Sequence, residues 1–409
     1  MTAKVIDFYY DIVCPYAYLA STQLDAFAER NNVTFRWKPV LLGGIFRSIG
    51  GKQVPMSSMS APRARLNMLD MHRWADLWGV PLTMPTAHPR RSVESMRWLT
   101  ALEGAARIQI SRRLFEAYWV DGLDVSNVDV LQEIAVEAGV SSEDMTSADA
   151  REGLFQTTAE AVEAGAFGVP AFVYNDELFW GQDRLPILEQ ALGVAPQVSE
   201  ATETGAPMRL RFFHDFSSPF SYLAATQIED VAARHGLEVD WCPILLGALF
   251  REIGTPDVPL FEMNEAKRRY MGKDLTDWSQ RWRVPFRFPD RFPIRSVRPL
   301  RAALVEPALT LPLYRAAWVK GEPIEDESVL ASIIEQAGFE SARILARTND
   351  PDIKMRLREN TDAARAAGVC GVPSFEVTNT KDHSKLLFWG QDRLNMVEAA
   401  LRGWRPECG

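Results

Sequence analysis

The chain writes one domain twice. Phe8 to Gln23 reads FYYDIVCPYAYLASTQ, and Phe212 to Gln227 reads FFHDFSSPFSYLAATQ. The match runs at one constant offset, without a gap, to at least Arg97 and Arg301. A repeat of that size is a whole domain, not the short period of a solenoid. A chain of 409 residues exceeds one ordinary core. Two domains are therefore expected, at 1–195 and 208–409. The small, acidic stretch PQVSEATETGAP at 196–207 joins them as a linker.

Each half follows the same plan. A β-rich run (Val5 to Tyr10, Met208 to Phe213) leads through Cys14-Pro15 or Ser218-Pro219 into a helical pattern, Tyr16 to Arg30 and Phe220 to His235. A second strand follows at Val33 to Val40 and Leu237 to Ile244. Strand, helix, strand predicts a parallel βαβ unit with a right-handed crossover. A long helical stretch comes next, about 62–166 and 266–368. The half closes with a hairpin (Val169 to Trp180, Val372 to Trp389) and a helix (Gln182 to Leu192, Gln391 to Leu401).

Charge and composition exclude several classes. A net charge of −9 with only short basic runs, Arg90-Arg91 and Lys267-Arg268-Arg269, argues against nucleic acid, which needs a clustered basic face. No apolar run reaches membrane-spanning length, and the N-terminus lacks a charged-then-apolar leader, so no membrane partner is expected. Four scattered cysteines (Cys14, Cys242, Cys370, Cys408) without a CxxC pair suit a reducing, cytoplasmic setting. The five histidines show no metal-ligand spacing, and no metal is expected.

Three motifs carry the chemistry. Cys14 and Ser218 each stand before a proline at a helix start, beside unpaired backbone N–H groups and the positive end of the helix dipole. Such a place can hold a thiolate, the protein's own or a bound one, though serine there is also an ordinary helix cap and cysteine an ordinary small apolar residue. Gly-Val-Pro recurs at Val169-Pro170 and Val372-Pro373, where a proline opening a strand suggests a cis bond. The heptapeptide FWGQDRL recurs unchanged at 179–185 and 388–394. Its Asp183 and Asp392 suit a helix N-terminus, either as caps paired to the next arginine or as acceptors for a ligand ammonium.

These motifs together resemble the DsbA-like thioredoxin fold, and each whole half resembles the 2-hydroxychromene-2-carboxylate isomerases and kappa-class glutathione transferases. The resemblance implies an α/β fold of two thioredoxin-like domains, each with a large helical insertion between the βαβ unit and the cis-proline hairpin. It implies that Ser218 holds the glutathione sulfur as thiolate, with Lys267, Tyr270, Val372, Pro373 and Asp392 completing the site. In the first copy Cys14 replaces the serine, Arg63 the lysine and Leu66 the tyrosine, while Val169, Pro170 and Asp183 remain. Ala17 excludes a CxxC disulfide within the Cys14 motif. Cys370, three residues before Pro373, is expected near the Ser218 helix end.

The implied reaction is a glutathione-dependent cis–trans isomerisation of a small aromatic carboxylate, an intermediate of aromatic degradation. A thiolate that adds to a conjugated carbon turns the double bond single, so it rotates before the thiolate leaves. Glutathione or another small thiol is the implied cofactor. Residues around Trp318 and Phe250 are candidates to hold the aromatic substrate. The alternatives are a glutathione transferase, a monothiol thiol–disulfide oxidoreductase using Cys14, or a thiol-binding or assembly role without catalysis. Related proteins pair as dimers, so the tandem chain is expected to act as a single-chain pseudo-dimer or a homo-oligomer.

Overall fold

A computed structural model describes residues 4–51, 55–195 and 207–407. The expected linker, apart from Pro207, and Cys408 lie outside the described residues. The chain forms two compact units, and neither is contiguous. Unit one comprises Met1–Ser57, Met71–Gln197 and Asn264–Met271; unit two comprises Ser58–Asp70, Val198–Met263 and Gly272–Gly409.

In unit one, β1 (Lys4–Tyr10), β2 (Val33–Pro39), β3 (Ala171–Tyr174) and β4 (Glu177–Trp180) form a sheet of order β2-β1-β3-β4. β1 and β2 run parallel with Phe8 opposite Trp37, while β3 runs antiparallel with Phe172 opposite Phe8. Alternation puts Ile6, Phe8 and Tyr10 on one face, and all three are fully buried. Phe8 stacks on Phe172 at 5.3 Å and meets Trp37 edge-on at 5.1 Å. Each such ring contributes roughly 1.5–3 kcal/mol of burial. The β3–β4 turn places Asn175 and Asp176 at φ of 50° and 62°, the two left-handed residues that a two-residue hairpin demands.

Unit two repeats the design with β5 (Met208–His214), β6 (Val239–Pro243), β7 (Ser374–Asn379) and β8 (Lys385–Trp389), ordered β6-β5-β7-β8. Phe212 lies opposite Trp241 and Phe375, as Phe8 does opposite Trp37 and Phe172. The crossover helix of unit one is continuous over Pro15–Asn31. Its expected counterpart is instead two helices, Pro219–Ala225 and Ile228–Ala233, because the Gln227 N–H turns back to the Ala224 carbonyl at the three-residue spacing. Among the described residues no helix is long and apolar enough to cross a membrane, and no group of three or more His, Cys, Asp or Glu could hold a metal ion.

Candidate functional site

Ser218 has an extended backbone and caps the helix that Pro219 opens. Its Oγ accepts from the Ser221 N–H at 3.2 Å and donates to the Val372 carbonyl at 3.1 Å. The Val372–Pro373 bond is cis. One buried hydroxyl thus ties the helix N-terminus to the proline strand. The ordinary cap role and the position expected for a thiol ligand coincide here.

Cys14 occupies the same place in unit one, with its Sγ donating to the Val169 carbonyl at 3.1 Å beside the cis Val169–Pro170 bond. It makes no side-chain capping bond. Burial pushes its thiol up to about 12, and the N–H groups of Ala17 and Tyr16 pull the other way without prevailing. The helix terminus therefore does not make Cys14 a thiolate, since loss of hydration outweighs the dipole. Cys242 and Cys370 are likewise pushed up to about 12 by burial, and all three described thiols are free.

The two aspartates of the repeated FWGQDRL segment pair with their neighbouring arginines: Asp183 with Arg184 at 3.0 Å, and Asp392 with Arg393 at 3.2 Å. Each curls back over the glycine before it, Gly181 or Gly390, which sits at φ of 108° or 110°. Arg393 also forks onto Asp70 at 2.5 and 3.0 Å. These contacts pair each aspartate with the arginine that follows it.

The structure divides the residues expected around Ser218. Tyr270 belongs to unit one, where its hydroxyl accepts from the Trp180 N–H at 2.9 Å on β4 and its ring packs 5.4 Å from Phe167. Lys267 lies one turn earlier in that segment, its N–H held by Asn264 Oδ1 at 2.9 Å. Conversely, Arg63 belongs to unit two. Its guanidinium lies 5.4 Å over the Trp389 ring and draws the Cys370 thiol downward electrostatically. Among the described residues it has no carboxylate partner. Arg63 thus falls in unit two with the Ser218 loop and Pro373, and Lys267 and Tyr270 fall in unit one with Cys14, Val169 and Pro170. Sequence position assigned these residues by half, whereas packing exchanges the segments.

Asp11 and Asp215, shared by the two copies, were given no role by the sequence. Asp215 accepts from the N–H groups of Ser217 and Leu246, both at 2.9 Å, and from Ser217 Oγ at 3.0 Å. Asp11 accepts from Val13 N–H, Leu42 N–H and Ser92 Oγ. Both carboxylates are buried, and both are pushed up by desolvation, Asp11 to about 6. They staple the loop before Cys14 or Ser218 to the next helix start. The repeated Asp three residues before the Cys or Ser was the available signal.

Trp318 and Phe250, the candidates to hold an aromatic substrate, are both buried. Trp318 donates its indole N–H to the Phe216 carbonyl at 2.8 Å.

A family model described as a DSBA-like thioredoxin domain matches residues 5–193 and again 209–402. The 2-hydroxychromene-2-carboxylate isomerase of Pseudomonas putida is 28% identical over 193 residues, covering 46% of this chain and 94% of its own length. Glutathione s-transferase kappa 2 of Caenorhabditis elegans is 29% identical over 204 residues, 46% of this chain and 89% of its own. A solved 2-hydroxychromene-2-carboxylate isomerase matches with 27% identity and a TM-score of 0.41, over 46% of this chain and 94% of its own. Nearly the whole of each relative thus fits within half of this chain.

Proposed function

The chain belongs to the DSBA-like thioredoxin domain family, and on that premise we propose that its Ser218 unit is a glutathione-dependent isomerase of the 2-hydroxychromene-2-carboxylate type. The observation that carries this reading is Ser218 itself. A hydroxyl stands at a helix N-terminus against the residue before a cis-proline, where the other unit holds a thiol. A hydroxyl there cannot enter thiol–disulfide exchange, so the nucleophile has to arrive with a bound thiol. When bound, glutathione would supply that thiolate.

The residues present fit such a ligand. The backbone N–H groups of the first helical turn, and the Ser218 hydroxyl once it leaves the Val372 carbonyl, would offer donors to a sulfur anion at the positive end of the helix. Arg63, half-buried and without a carboxylate partner among the described residues, offers a planar fork to a carboxylate of the peptide. Asp215 holds the loop that presents Ser218 and stays buried away from water. Cys14, with its thiol pushed up to about 12, keeps the scaffold and supplies no nucleophile. A reducing, cytoplasmic setting suits a chain whose Cys14, Cys242 and Cys370 are free thiols.

The test is turnover of 2-hydroxychromene-2-carboxylate with and without glutathione. Ser218→Ala should lower kcat/KM by about a hundredfold, the scale for losing one preorganised donor. Cys14→Ser should leave it within about twofold, since the replaced thiol supplies no thiolate near neutral pH. Full turnover without any added thiol, or undiminished turnover in Ser218→Ala, overturns the reading.

A further inference from the structure

Unit two exposes an aromatic surface at positions where the first copy carries no phenylalanine. Phe261 is 60% exposed and Phe288 is 40% exposed. Phe261 meets Phe292 edge-on at 6.4 Å, Phe292 packs on Phe288 at 5.1 Å, and Phe288 stands edge-on to Trp318 at 5.6 Å. Contiguous rings left in water, unlike a lone exposed leucine, mark a place for a ligand.

This surface is fastened to the Ser218 site at two points. Trp318 beneath it donates to the carbonyl of Phe216, two residues before Ser218. Phe286 stacks on Trp318 at 6.1 Å and on Tyr222 at 6.4 Å, and the Tyr222 hydroxyl donates to the Pro285 carbonyl at 2.6 Å. Tyr222 lies in the helix that Ser218 caps. The segment that carries Trp318 also widens into a π turn over Ala316–Lys320, whereas the corresponding helix of unit one, Gly104–Trp119, stays regular. Positions 261, 288 and 292 correspond to Ser57, Met84 and His88 in the first copy. There, His88 Nδ1 is tied to the Tyr118 hydroxyl at 3.0 Å.

Two cations stand beside the rings, each paired with a surface carboxylate. Arg287 and Arg291 alternate with the phenylalanines, and their pairs with Asp290 (3.1 Å) and Asp326 (3.5 Å) lie on the surface, where such pairs are weak. We propose that the Phe261–Phe288–Phe292 surface seats the ring of a planar aromatic carboxylate, with Arg287 and Arg291 drawing its carboxylate. That this ligand is the substrate rests on the isomerase reading; the surface itself does not.

The experiment is calorimetric titration of the full chain with naphthalene-2-carboxylate, and with cyclohexanecarboxylate as a non-planar control of equal charge. The double variant Phe261→Ser, Phe288→Met, which imports the first copy's residues at exposed positions, should weaken naphthalene-2-carboxylate binding about tenfold, as expected for losing two ring contacts. The control should bind at least about tenfold more weakly than the planar ligand. Equal binding of the two carboxylates, an unchanged affinity in the variant, or no naphthalene-2-carboxylate binding at all overturns the proposal. In turnover, the variant should raise KM for the carboxylate and leave KM for glutathione unchanged. If turnover proves independent of glutathione while the variant still loses ring binding, the isomerase reading fails and the surface stands.

Discussion

The thiol of Cys14 is where two physical effects compete, and their balance can be measured. A helix N-terminus favours a thiolate, while burial disfavours it. Burial prevails and moves the thiol from its ordinary value near 9 to about 12. Three units correspond to roughly 4 kcal/mol against ionisation. At pH 8 the thiolate fraction is then about one in ten thousand, against roughly one in four for a free cysteine of pKa about 8.5. A more basic thiolate is intrinsically more nucleophilic, which recovers about twenty-five- to fiftyfold. Ionisation alone should therefore slow alkylation of Cys14 by about fifty- to a hundredfold relative to free cysteine. The assay is iodoacetamide labelling of the native chain from pH 6.5 to 9.5, read peptide by peptide by mass spectrometry, with Cys14→Ser fixing the assignment. The rate at Cys14 should rise about tenfold per pH unit throughout, with no plateau. A plateau below pH 9, or labelling as fast as free cysteine, refutes the argument and revives Cys14 as a redox thiol.

The buried Asp11 has a folded-state value raised to about 6 from 3.8, so its stabilising contribution is complete below pH 4 and is lost as pH rises through 6. The unfolding free energy of the wild type minus that of Asp11→Asn should fall by up to about 3 kcal/mol between pH 4 and 7, measured by urea titration; a pH-independent difference would contradict it. Gly390 sits at φ 110° with Asp392 Oδ1 where a Cβ would go, so Gly390→Ala should cost about 1–3 kcal/mol and lower the calorimetric midpoint. Gly247, helical and with nothing within 4 Å of a built Cβ, is the control, and Gly247→Ala should be neutral or stabilising by up to about 1 kcal/mol.

Much of the architecture was legible because it is local. The β-rich run holding Ile6, Phe8 and Tyr10 specifies a strand, and Cys-Pro or Ser-Pro after it specifies a helix start. The repeat supplied independent copies of each signal. The pairing of Asp183 and Asp392 with the next arginine was readable because the partners are adjacent in sequence. What escaped the reading was non-local. Trp318 looked like a ligand-facing ring, yet only the fold shows it roofed by Phe286, Phe288 and Phe292 with its N–H spent on Phe216.

The doubled segment, its Cys14/Ser218 mismatch and the two Val-Pro strands are matters of sequence, because they depend on residue identity and short-range spacing. Which arginine, lysine or tyrosine accompanies which of those two residues is a matter of tertiary structure. Arg63 lies 155 positions before Ser218, and Tyr270 lies 90 beyond Trp180; at such separations chain order says nothing about proximity. Burial decides it: Tyr270 hides its ring beside Phe167 in unit one, and Arg63 covers Trp389 in unit two. The same burial decides the state of Cys14, since no helix dipole read from sequence reports how much water the fold removes.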